Sequence, residues 1–206
     1  MEPGTGLRAI TRNAVRVQIA RTAEDLFLSR GYEETTIDQI ASAVGISQRS
    51  VFRYFPSKED ILLDHYDSLG QQLLERLTAR PDTENDWTAL RRAFDLAIDQ
   101  FAEPGRRAHG TAIQRLLDRS PHLLAAYLRR VDGVQQQMTA RLAERAERQG
   151  RTVDPVVLRA TVGAAFACLQ AAVFQACGDE PAAQHVLLDR VMNAVHVTVP
   201  APARRG

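Results

Sequence analysis

Lysine is almost missing from this chain: Lys58 is the only one in 206 residues, and every other basic side chain is arginine. We read this as composition bias and give it no functional weight. Cysteine is as scarce. Cys168 and Cys177 fall in one predicted helix, roughly 13 Å apart at 1.5 Å rise per residue, beyond the reach of an intrachain disulfide. An intermolecular bridge or two buried thiols remain, and a disulfide framework is excluded. Charge of one sign is lacking too. The formal net charge is +1, and residues 1–66 carry eight basic against nine acidic side chains, so no polycationic surface is on offer. Alternating polar and apolar runs that would mark strands are absent. With neither a signal peptide pattern nor a transmembrane stretch read from the chain, a reducing cytoplasm is the expected compartment.

Enzyme motifs are wanting as well. Gly4-Thr5-Gly6-Leu7-Arg8-Ala9 resembles a dinucleotide fingerprint on paper but follows no strand. Gly45-Ile46-Ser47-Gln48-Arg49 lacks the second glycine of a nucleophile elbow. The five histidines, 65, 109, 122, 185 and 196, show no HExxH pattern and no spacing with cysteine that would hold zinc. The reading is therefore no enzyme, no cofactor and no metal.

What the chain does hold is a specific window at residues 36–58, TIDQIASAVGISQRSVFRYFPSK. Thr36 can cap a helix, with Gln39 three residues on to complete a capping box. Ile37, Ile40, Ala41 and Val44 make one apolar face of that helix. Gly45 stands where the helix must end in a left-handed turn, Ile46 buries the turn, and Ser47 can cap a second helix, Gln48 to Tyr54. Ala41, four residues before Gly45, lets the two helices approach; Val51 and Phe52 are read as the second helix's apolar anchor. Gln48, Arg49, Ser50 and Arg53 point outward. A short helix presenting these side chains fits the major groove, where arginine pairs with guanine and glutamine with adenine through two hydrogen bonds each. Arg8, Arg12, Arg16 and Arg21 fall in the first stretch, residues 1–21, with only Glu2 opposing them, a local basic arm that could follow phosphates.

Helical periodicity continues along the chain. Val15, Ile19, Ala23, Leu26 and Phe27 mark a first helix from about Thr11 to Arg30, closed by Gly31. Ser57 caps a long helix running from Lys58 to about Thr78, and residues 79–86, ARPDTEND, read as a loop. Further helices are expected at Trp87 to Glu103, Arg106 to Arg119, Pro121 to Gln149, Pro155 to Cys177 and Pro181 to Val197. Prolines 121, 155 and 181 at helix starts and glycines 105, 150 and 178 near helix ends fit this division. The fold class is all-α, about nine helices in total.

With a helix ending at SRGYEETTIDQIASAVGISQRSVFRYFPSKEDIL and a wholly helical remainder, the chain resembles the TetR family of bacterial one-component regulators; the motif match covers roughly residues 12–64. The resemblance implies a helix-turn-helix DNA-binding domain with a flexible N-terminal arm over 1–57 and a helical effector-binding and dimerisation domain over 58–198, while the tail over 199–206, VPAPARRG, has by composition nothing to bury and is expected to be disordered. It implies a double-stranded DNA operator, a second copy of the chain and a small-molecule effector as partners, with no membrane. Carried over by position, Ser47, Gln48, Arg49 and Ser50 lie at the start of the recognition helix and Arg53 and Tyr54 farther along, while Thr36 and Lys58 at two helix N-termini bind phosphate oxygens. The family often has a Tyr-Tyr or Tyr-Trp pair where this chain has Phe52-Arg53, and a cation there adds salt-dependent affinity.

The dimer interface is expected on the last two helices, at Leu158, Thr161, Ala165, Cys168, Ala172, Leu188, Val191, Met192 and Val195. The effector pocket is expected among Leu73, Leu77, Phe94, Ile98, Phe101, Leu116, Leu117, Met138, Leu142, Phe166, Leu169 and Phe174, for a hydrophobic or amphipathic ligand. The expected function is a one-component repressor that binds a palindromic operator as a dimer and is released by its effector. The alternative is a helical ligand-binding or scaffold module without DNA affinity, which the near-neutral head would suit.

Overall fold

A computed structural model of the chain describes residues 4–102, 104–175 and 181–198, with side chains described over 10–101, 110–173 and 183–196. Cys177, the side chains of Arg8, His109 and Phe174, and the tail from 199 lie outside these. Every regular element among the described residues is an α-helix. In chain order they are α1 (Gly4–Arg30), α2 (Ile37–Val44), α3 (Gln48–Tyr54), α4 (Lys58–Leu62), α5 (Asp64–Thr78), α6 (Asp86–Ala93), α7 (Asp95–Ala102), α8 (Pro104–Arg119), α9 (Pro121–Arg148), α10 (Pro155–Gln175) and α11 (Pro181–Thr198).

Among the described residues eleven helices stand where about nine are expected, because two long ones are interrupted. Ile61, Leu62 and Leu63 are consecutive and all buried. At about 100° per residue, three successive side chains cannot face one side of a straight helix. The chain answers by leaving helical geometry at Leu63 (φ −95°, ψ 5°) and restarting at Asp64. A second interruption falls at Phe94, whose ring is fully buried between α6 and α7.

The chain divides into two compact units: Met1–Asp67 with Ala112–Tyr127, and Ser68–Thr111 with Leu128–Gly206. The boundary expected at 57/58 thus falls inside the first unit, which also takes in the end of α8 and the start of α9. Its core holds Ile19, Phe27, Ile40, Val51, Phe55 and Leu117, all buried. Ser120 donates to Glu33 at 3.3 Å, and Tyr127 meets Tyr66 edge-on with ring centroids 5.0 Å apart.

The second unit is built on one apolar cluster from α5, α6, α7, α9, α10 and α11. Gly70 marks the close approach of α5 and α9, for a Cβ there would fall 2.6 Å from a methyl of Val134. One buried charge organises the loop between α5 and α6. Arg145 on α9, 3% exposed, donates to the carbonyl oxygens of Arg80 (3.0 Å), Pro81 and Glu84 (2.7 Å). Its charge faces Asp82 at 3.8 Å and Asp86 at 3.9 Å. The proline-bearing loop therefore has its carbonyls satisfied by a guanidinium rather than by a helix of its own.

Candidate nucleic-acid interface

Local capping fixes the geometry of α2 and α3. The backbone N–H of Thr36 donates to Gln39 Oε1 at 2.9 Å, and Gln39 N–H returns the bond to Thr36 Oγ1 at 3.2 Å. Gly45 takes φ +78°, its N–H reaching Ser42 O at 3.2 Å, while Ile46 N–H reaches back to Ala41 O at 3.0 Å. A side chain at Gly45 would strain this turn. Ser47 then caps α3 by accepting from Ser50 N–H at 3.2 Å. Two residues thus separate the end of one helix from the cap of the next, so the orientation of α3 is set by backbone hydrogen bonds within the window itself.

Val51 is the buried residue of α3, and around it Gln48, Arg49, Phe52 and Arg53 are exposed, with Ser50 and Tyr54 half-buried. The Arg53 guanidinium lies 5.4 Å from the centre of the Tyr54 ring. Gln48 and Arg49 have no side-chain partner among the described residues, so their donors are open to a ligand. These positions were legible from the motif. Phe52 was not: paired with Val51 as an anchor in the sequence reading, it is 49% exposed. The reason is angular, since a residue 100° from a centrally buried Val51 shares the side of Gln48 and Arg49. Phe55 is the aromatic that turns inward, because it leaves the helix in extended geometry (φ −137°, ψ 115°) and is fully buried.

Two expected phosphate ligands are placed differently from the sequence reading. Arg16 does not extend the basic arm. Its guanidinium pairs with Asp64 (Nε to Oδ1 2.9 Å), donates to Tyr54 O at 3.1 Å and stacks 4.5 Å over the Phe55 ring. It ties α1 to the end of α3 and the start of α5, a long-range link that no spacing in the sequence announces. Lys58 is half-buried and donates to Tyr32 O at 2.8 Å and Thr35 O at 3.1 Å, with its ammonium 4.2 Å from the Tyr32 ring centre. Two of its three donors hold the α1–α2 connection, leaving one for a phosphate. Arg12 and Arg21 are exposed. Thr36 and Ser47, both exposed, stand at the N-caps of α2 and α3.

In the second unit, Leu73, Leu77, Phe94, Ile98, Met138, Leu142, Phe166 and Leu169 join the single apolar cluster, with Phe101 packed against it. Phe94 and Phe166 meet edge to face at 5.2 Å. Leu116 and Leu117 are not brought there; they belong to the stretch Ala112–Tyr127 of the first unit, because α8 passes from one unit to the other. Phe174 lies outside the described side chains.

The expected interface residues need correction. Leu158, Ala165, Cys168, Ala172, Leu188 and Met192 are buried in this same cluster, with Val191 and Val195 packed against it. Thr161 is half-buried, its hydroxyl donating to Val157 O at 2.8 Å. Apart from Thr161, these side chains face their own subunit's core. The outward positions of the same helices are Val156, which is 76% exposed, Val157, Ala160 and Ala167 on α10, and Val186, Arg190 and Asn193 on α11. Burial raises the Cys168 thiol above its ordinary pKa, which suits a packing role.

Residues 19–64 match the family described as bacterial regulatory proteins, tetR family. Residues 84–200 match the family described as MftR C-terminal domain. The HTH-type transcriptional regulator TcmR of Streptomyces glaucescens is 39% identical over 156 residues, covering 73% of this chain and 67% of that protein. The HTH-type transcriptional regulator EthR of Mycobacterium tuberculosis is 37% identical over 108 residues, 47% of this chain and 49% of that one. Among solved structures, the fatty acid degradation regulator FadR of Bacillus halodurans has the same fold, with TM-score 0.58 and 19% identity, covering 88% of this chain and 94% of that chain.

Proposed function

The chain belongs to the TetR family of bacterial transcriptional regulators, and from that membership we propose that it is a cytoplasmic repressor that binds a palindromic operator as a dimer and is released by a small hydrophobic or amphipathic effector. The observation that carries this reading is the exposed face of α3, where Gln48 and Arg49 keep their donors open while the caps at Thr36 and Ser47 hold the helix on its turn. The Arg49 donors match the two acceptors of guanine, and the Gln48 amide, donor and acceptor together, matches the mixed edge of adenine. Ser47, Ser50, Arg53, Tyr54 and Thr36 flank them as backbone contacts, and Lys58 serves first as the anchor of α4 with one donor left for a phosphate.

Dimerisation is supported by the character of α10. By length and composition Pro155–Val173 is apolar enough to cross a bilayer, where the sequence reading found no such stretch; it carries one charged residue, Arg159. Its inner residues are buried in the subunit, yet Val156, Ala160 and Ala167 are exposed outside it. A helix apolar on both sides is stable in water when both are covered, and the same faces of α10 and α11 from a second copy would cover the outer one. Two copies of α3 would then meet successive major-groove faces about 34 Å apart, which requires a palindrome. The Phe94, Phe166 and Leu169 region, an apolar core with few polar groups, supports an apolar effector.

The test is selection of bound sequences from a random duplex pool with the full chain, at near-physiological salt, repeated with Arg49→Ala. Enrichment of a palindrome that Arg49→Ala binds about 5- to 150-fold more weakly, the worth of one good base contact, is the expected result. No enrichment at any salt would instead favour a helical ligand-binding or scaffold module, the reading that the near-neutral balance of residues 1–66 supports.

A further inference from the structure

Phe52 is left over once the polar face of α3 is assigned. A single exposed apolar side chain is ordinary on a protein surface, but this one is surrounded by Gln48, Arg49 and Arg53 on the face argued above to meet DNA. Half of its ring is in water although Val51 beside it and Phe55 after it are fully buried. Whatever covers that ring must be compatible with the cations around it, so the occupant is anionic at large and apolar at one spot. The ring has no hydrogen-bonding atom and cannot hold a phosphate by donation. In the major groove the one apolar group on a base edge is the C5-methyl of thymine.

We infer that Phe52 reads a thymine methyl in each operator half-site. The inference rests on α3 entering the major groove. Phe52 lies one helical turn beyond Gln48 and three residues beyond Arg49, about 4.5 to 6 Å along the axis. The thymine is therefore within about two base pairs of the base that Arg49 or Gln48 addresses, at 3.4 Å per step. A ring at this place gives a preference for thymine beside the positions that Gln48 and Arg49 address.

The experiment uses the full chain and the operator found by selection, with deoxyuridine replacing thymidine one position at a time. This removes the methyl and keeps every hydrogen-bonding group. One position per half-site is expected to lose affinity about fourfold, the worth of burying one methyl, and about 15-fold when both half-sites are changed together. Phe52→Ala is expected to bind the thymidine operator more weakly by at least that factor and to be indifferent to uridine at the same position, while Phe52→Leu keeps part of the sensitivity. Thermal unfolding of both variants checks that the exposed position has not altered the fold. A uridine scan that leaves wild-type affinity unchanged everywhere overturns the inference while leaving DNA binding intact, and so does a Phe52→Ala loss that is equal on thymidine and uridine operators, which would place the ring on the sugar-phosphate backbone. Absence of DNA binding by the wild-type chain overturns both the inference and the reading beneath it.

Discussion

The two units use polar side chains in opposite ways. In the first, the polar residues of the α2–α3 window are spent on the surface: Thr36 and Ser47 cap helices, and Gln48, Arg49 and Arg53 face outward. In the second, the one deeply buried cation among the described residues, Arg145, is turned inward onto three carbonyls, and the core is an apolar cluster. A residue type that acts locally, through caps and turns, can be assigned from a short window. An apolar residue says only that it is covered, and not by what. This is why Gln48 and Arg49 were found from the motif, whereas Leu188 was assigned to a partner and is covered by its own subunit.

The sharpest test of this contrast is therefore in the second unit. Leu188 is fully buried within the subunit, so Leu188→Arg places an unpaired charge in the core. The expected cost is about 5 kcal/mol or more, seen as loss of the cooperative unfolding transition and aggregation on expression. Ala167→Arg, on the exposed face of α10, should leave folding within about 0.5 kcal/mol yet yield monomers by sedimentation. If Leu188→Arg gave a folded monomer instead, α11 would face a partner and the assignment of the two faces would be reversed.

A smaller effect separates a buried arginine from a surface one. Arg145→Ala removes donors from the carbonyls of Arg80, Pro81 and Glu84 at once, for an expected loss of about 3 to 5 kcal/mol. Denaturant unfolding reads this directly, and operator affinity per folded molecule should be unchanged. A loss below about 1 kcal/mol would mean that water replaces the guanidinium and that the loop between α5 and α6 is held by other means.

How much was legible follows the same division. The all-α class, the bounds of α3, the capping box at Thr36 and Gln39 and the left-handed turn at Gly45 were all readable, because each depends on neighbours within a few residues. The interruption at Leu63 was signalled by three consecutive apolar residues but not read, since helical periodicity on either side masks a change of axis. The passage of α8 into the first unit and the Arg16–Asp64 pair were beyond reach. Both join segments far apart in sequence, and nothing in the intervening residues marks them. Phe52 lies between these cases, for the burial of Val51 alone decides its direction.

The smallest expected effects come from two arginines one turn apart on α1, which the sequence treats as equivalent. Arg12 is exposed, whereas Arg16 is held by Asp64, Tyr54 O and the Phe55 ring. Arg16→Ala should cost about 1 to 2 kcal/mol of stability, the sum of a charge-assisted hydrogen bond and partly exposed pairing. Its salt dependence of DNA binding should match wild type. Arg12→Ala should leave stability unchanged and lower operator affinity equally for every sequence, with the slope of log affinity against log salt falling by about 0.9, one phosphate contact. Titration of both variants at three salt concentrations separates them: a slope change in Arg16→Ala would place its guanidinium on the DNA rather than under α3, and none in Arg12→Ala would confine the interface to the helix-turn-helix itself.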